Sequence, residues 1–158
     1  MEKRNESGRT MLEMLGVLAI IGIITYGAIA GINYGMSSYK VNQTYNEVQE
    51  IIQGIEDLYS WSNGYPSGEA ASGSYAGCSK IFAAACENDV LQECTSTPSC
   101  TAKGAFGDIE VEVIESGDNF QLTLSIADEG DRLRVQEMDW ININCNCTAG
   151  GVCTFSPK

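Results

Sequence analysis

The chain begins with a strongly apolar block and then changes pattern. From Met14 to Tyr39 there are 26 consecutive residues without a charged side chain, rich in Ile, Leu, Val, Ala and Gly. About 20 such residues suffice to cross the hydrocarbon of a bilayer as a helix, so the block predicts a membrane helix. Beyond Lys40 the pattern turns amphipathic. Val41, Tyr45, Val48, Ile52, Ile55 and Tyr59 follow a 4-3-4-3-4 spacing, while Asn46, Glu47, Gln49, Glu50 and Glu56 fill the opposite side. One face is expected to pack and the other to be solvated. The seam lasts under three heptads, which favours packing on the chain's own sheet over a free coiled coil. A single helix is therefore expected from about Thr10 to Ser60, roughly 75 Å long at 1.5 Å per residue.

The remainder alternates between turn signals and short periodic runs. Ser62 to Gly77 is a Gly/Ser/Pro loop, and Cys78 to Leu91 predicts a short helix with Ser79 as its cap. Ile109–Ile114 and Phe120–Ile126 alternate as two strands about a turn at Ser116–Asn119, which gives a hairpin. Asp128, Glu129 and Asp131 form an acidic turn. Arg132 to Asn144 fits strand or helix, with strand preferred for Trp140–Cys145. Thr148–Gly151 separates that strand from Val152–Phe155, a second hairpin. The expected fold class is α+β: a long N-terminal helix packed on a small antiparallel β-sheet head.

Charge sharpens the division. Of the net −12, residues 1–40 carry Lys3, Arg4, Arg9 and Lys40 against Glu2, Glu6 and Glu13, which is +1, so residues 41–158 carry −13. Lys3, Arg4 and Arg9 precede the apolar block, a bias that places the N-terminus in the cytoplasm and the head on the far side. A head so acidic repels phosphate backbones, and no basic stripe is present, so direct nucleic-acid binding is not expected.

All seven cysteines, Cys78, Cys86, Cys94, Cys100, Cys145, Cys147 and Cys153, follow Gly77, and there is no histidine. Their position after a membrane segment suggests disulfides in an oxidising compartment, with one thiol left over. Cys94 and Cys100 are the most natural local pair by proximity, while the full connectivity is not legible. A zinc module on Cys145, Cys147 and Cys153 is the competing reading, but paired ligand spacings and histidines are missing. Without histidine the commonest nucleophile dyads and triads cannot be assembled, so an enzyme is not expected. Glu110 and Glu112 share one strand face and are explained by solvation. Asp128, Glu129 and Asp131 lack the EF-hand pattern, and an ordinary acidic turn is the better account. No cofactor or metal is expected.

Two readings of the apolar block compete. Ala28-Ile29-Ala30 is an acceptable signal-peptidase site, which would release a secreted Cys-rich binding protein. Against this, the apolar run continues past Ala30, and Glu13 sits among apolar neighbours, where a carboxylate inside a membrane helix costs about 2.5–3.5 kcal/mol. Glu13 either has a partner in the membrane or stays hydrated at the interface by snorkelling.

The stretch Gly8-Arg9-Thr10-Met11-Leu12-Glu13-Met14-Leu15, followed by the apolar run from Gly16 to Ile24, resembles the prepilin cleavage and assembly segment of type IV pilins and their relatives. The matching features are a Gly ending a short polar leader, a Glu fifth after it, and an unbroken apolar helix. The resemblance covers about 50 residues and does not extend past Ser60. It implies cleavage between Gly8 and Arg9 by a membrane-bound prepilin peptidase, N-methylation of the new terminus, and insertion in the inner membrane with the head periplasmic. Passage through an inner-membrane assembly platform into an extracellular filament of identical or related pilin subunits would follow.

On that resemblance the chain divides into a cytoplasmic leader (1–8), a transmembrane and filament-core helix (9–40) and an exported head (41–158). Glu13 would pair with the cationic N-terminus of a neighbouring subunit, and Gly22 matches a glycine where the family's helix often loosens. Arg9 stands where the family usually has Phe, and Ala30 replaces a common proline, so no kink is expected there. Gly27, Gly31 and Gly35 recur every fourth residue, either as a small-residue face for close helix packing or as points of local melting. Cys145, Cys147 and Cys153 fall where many pilins close a disulfide-bounded loop, a staple that contributes about 2–4 kcal/mol. A pseudopilin of a type II secretion system shares the same N-terminal segment and is the nearest alternative.

Overall fold

A computed structural model describes residues 6–114 and 119–158, with side chains from residue 11 onward. Helix α1 runs Glu6–Tyr59, followed by α2 at Lys80–Glu87, β1 at Ala102–Lys103, β2 at Asp108–Ile114, β3 at Asn119–Ser125, α3 at Glu129–Glu137, β4 at Ile143–Cys147 and β5 at Val152–Pro157. The chain forms two compact units, Met1–Ser38 and Tyr39–Lys158. The fold class is α+β, with one antiparallel sheet in the order β1-β2-β3-β5-β4. Of the expected turn at Ser116–Asn119, residues 116–118 lie outside the described residues and Asn119 opens β3; the paired strands on either side match the alternation in the sequence.

The second unit is built around the amphipathic half of α1. Val41, Val48, Ile52 and Ile55 are buried as their spacing predicts, and Tyr45 and Tyr59 pack against the same core. Ile51 and Thr44 are buried as well, which widens the apolar stripe beyond the narrow seam of a coiled coil. The inner face of the sheet supplies Ile109, Val111, Phe120, Leu122, Leu124 and Phe155, and α2 adds Ile81, Phe82 and Ala85. Trp140 links helix and sheet: its ring centroid lies 5.0 Å from Tyr45 and 4.9 Å from Phe155, and its indole N–H donates to the Val135 carbonyl at 2.8 Å. The outward side chains Glu110 and Glu112 are exposed, as alternation requires.

Three expectations are corrected. Asp128 is the cap of α3 and not part of a free turn: its Oδ1 accepts the Asp131 N–H at 2.9 Å, which satisfies a donor left open in the first turn. Only Val135 of α3 is buried, so no apolar stripe announces the helix. The strand expected at Trp140–Cys145 begins instead at Ile143. Asn142 takes a left-handed backbone (φ 58°), which reorients the chain there, while Trp140 packs from outside the sheet. Glu47, placed on the solvated side, reaches across to the segment after β1. Its Oε2 accepts the Ala105 N–H at 2.9 Å and its Oε1 accepts from Gln43 at 2.6 Å, while the Lys40 ammonium stands 5.9 Å from the Phe106 ring centre.

Gly54 shows how tightly this face is built, since a Cβ there would fall 2.7 Å from Val90 Cγ1. Replacing Ile55 by Ala should cost about 2–5 kcal/mol through lost burial and a residual cavity. Glu50→Ala, on the exposed side, should stay within about 0.5 kcal/mol. Urea unfolding of the full chain in detergent checks both, and equal costs would mean that the seam is not core.

Candidate functional site

The first unit presents its chemistry as surface. From Met11 to Met36 every residue is exposed in the single chain, including Leu15, Leu18, Ile20, Ile21, Ile24 and Ile32. Leaving a large aliphatic side chain in water forgoes about 1.5–3 kcal/mol. Summed along this helix the exposure costs on the order of tens of kcal/mol in water, which lipid or neighbouring helices would remove. The helix is long and apolar enough to cross a membrane, as an anchor or as a signal segment. Near mid-span the Thr25 hydroxyl is satisfied locally by donating to the Ile21 carbonyl at 2.8 Å. Tyr34 and Tyr39 lie toward the Lys40 end, where amphipathic rings suit a headgroup boundary.

Glu13 is exposed on α1 among Met11, Leu12, Met14 and Leu15. Gly8 and Arg9 fall within the α1 backbone, and the Arg9 side chain lies outside what the structure describes. At Gly22, Gly27, Gly31 and Gly35 an added Cβ would meet nothing within 4 Å. Packing within the chain therefore gives no reason for glycine at these four positions. Gly54 in the second half of the same helix is the contrast, because there the reason is plain.

The cysteines resolve into Cys78–Cys100, Cys86–Cys94 and Cys147–Cys153. The expected local pair Cys94–Cys100 is not formed. Thr95 and Thr101 close that loop by exchanging backbone hydrogen bonds at 2.7 and 3.1 Å. In an antiparallel arrangement this register sets Cys94 opposite Ala102 and Cys100 opposite Ser96, so the two sulfurs are diagonal neighbours and each turns to a partner near α2. Cys147 and Cys153, by contrast, are directly opposed in β4 and β5. With both in a disulfide they are unavailable as thiolate ligands, and among the described residues no group of three His, Cys, Asp or Glu could hold a metal.

The seventh cysteine, Cys145, is half-buried on β4, and burial pushes its thiol up to about 11. Burial likewise raises the Tyr59 phenol, and it raises that of Tyr65 with a smaller push from Glu56.

Comparison with protein-family models, with curated proteins and with solved structures found no match to the chain.

The raised Cys145 value has a definite sign. Folding favours the neutral thiol, so its contribution to stability is fully present below the ordinary pKa of about 9 and is lost as pH rises through about 11. Alkylation of the folded chain by iodoacetamide should label one cysteine. Its rate should keep rising about tenfold per pH unit beyond pH 9, where an exposed thiol levels off. A plateau at pH 9 would mean that Cys145 is not desolvated.

Proposed function

We propose that this chain is a structural subunit of a type IV pilus or a related filament, inserted through α1 and assembled by burial of that helix among its neighbours. The observation that carries the proposal is the pairing of two facts: a wholly exposed apolar helix from Met11 to Met36, and a carboxylate, Glu13, near its start. A simple anchor needs the first and is weakened by the second. A subunit that stacks needs both, because a buried carboxylate meeting the amine of a neighbour satisfies two groups that are costly alone and selects one axial register. The leader 1–8 and cleavage after Gly8 belong to the same proposal, as do export of the head and prepilin peptidase as processing partner. A pseudopilin would use the same α1, and the three disulfides of the head suit the oxidising compartment that either subunit would enter.

The intact mass and N-terminal sequence of the protein recovered from membranes test the processing. A chain starting at Arg9 supports it, and one starting at Gly31 would indicate a soluble secreted head. Glu13→Ala should insert normally yet reduce filaments about a hundredfold or more, since breaking a buried pair costs about 3–5 kcal/mol. Undiminished filaments would remove the pairing.

Gly31→Ala separates packing from melting. If Gly31 serves close helix approach, filament yield should fall although helix propensity improves by about 1 kcal/mol. An unchanged or higher yield would leave glycine there as a softener of the helix.

A further inference from the structure

The sheet of the head is left open along one stretch of backbone. Strand β1 is only two residues long and pairs with Asp108 and Ile109, so it does not extend along the rest of β2. Within β2 the hydrogen-bonded partners alternate. Ala102 faces Ile109 on one side, and Glu110, Glu112 and Ile114 face β3 on the other, so Val111 and Val113 direct their N–H and C=O groups to the open edge. Ser79 Oγ donates to the Val111 carbonyl at 2.8 Å, which confirms the direction and occupies one of these groups. Among the described residues no partner is recorded for the Val111 N–H or for either backbone group of Val113.

This edge lines a cleft of about 390 Å³, whose other wall is formed by Gly68, Glu69, Gly77 and the Cys78–Cys100 disulfide. The volume lies within the ~300–1,000 Å³ of ligand clefts. Among the described residues three exposed carboxylates, Glu69, Glu110 and Glu112, line it, and no lysine or arginine does. Glu110 and Glu112 project from one face of β2, where the side chains of an added strand would stand beside them.

We propose that the open edge of β2 accepts an extended segment of a basic protein partner, which adds as a strand to the sheet. Its backbone pairs with Val113 and with the Val111 N–H, the Val111 carbonyl keeping its bond from Ser79 Oγ, and alternate lysine or arginine side chains lie against Glu110 and Glu112. Charge disfavours a second copy of this head in the role: residues 41–158 carry −13, so two heads repel as they approach. This interaction is independent of how α1 assembles.

The test uses the full-length protein in detergent micelles with a short capped peptide alternating lysine and valine as probe. Titration should shift the backbone amide resonances of Val111 and Val113 and slow their hydrogen exchange. The same peptide N-methylated on alternate amides keeps its charge and loses strand pairing, and should bind at least about fivefold more weakly. The double change Glu110→Gln, Glu112→Gln, at exposed positions, should weaken binding and reduce its salt dependence. Equal binding of the N-methylated peptide would show charge attraction without strand addition and overturn the proposal. An acidic counterpart binding as well as the basic one, or no shift at Val111 and Val113, would overturn it too.

Discussion

The head depends on a helix that is amphipathic only in its second half. From Val41 to Tyr59 the apolar stripe of α1 is the cover that the inner face of the sheet requires: Phe120, Leu122, Leu124 and Phe155 share a single core with Val48, Ile52 and Ile55. A sheet of five short strands with one face uncovered would not hold in water. Because the stripe is wider than a coiled-coil seam, the helix lies against a surface and not along a line. Glu47 and Lys40 extend the grip past the core by holding the 104–107 segment, through the Ala105 amide and the Phe106 ring.

The disulfides finish what so small a core cannot secure alone. Cys78 and Cys86 bracket the start and end of α2, and both are tied to the 94–100 loop. The loops they close span 22 and 8 residues, and the third spans 6. On a chain-entropy account these contribute about 2–3.5 kcal/mol each, with the 22-residue loop contributing most. Such constraints matter more in a head carrying −13, whose self-repulsion works against compaction.

How much was legible from the residues depended on whether a signal was local. The uncharged run and the 4-3 spacing place the end of α1 within one residue and its start within four, and strict alternation places β2 and β3, because each pattern is set by one periodicity. Ser79 was readable as a cap since its oxygen meets the Phe82 N–H three residues on. Asp128 carries the same signal toward Asp131, but α3 buries only Val135, so no apolar stripe marks a helix after it. Trp140 misled for the opposite reason: a large apolar residue next to a strand can belong to the core without belonging to the strand. Disulfide pairing was out of reach in the 94–100 region, where a single register fixed by Thr95 and Thr101 decides which sulfurs meet. The open edge of β2 was equally hidden, as it follows from the shortness of β1 and not from any motif.

The separation of charge between the two units bears on how subunits of such a filament would meet. Acidic heads brought within a Debye length of about 8 Å repel one another, so head-to-head contact is a poor source of cohesion at −13 per copy. In the proposed filament, cohesion would then come from surfaces that carry little charge, and the exposed stretch Met11–Met36 holds Glu13 as its one charged residue. Glycines with open space around their Cβ positions fit this division of labour, because close backbone approach raises dispersion contact between helices that share no hydrophobic driving force in lipid. In the filament proposed above, the acidic surface would be left for heterotypic contacts, where its charge would attract a basic partner instead of opposing assembly.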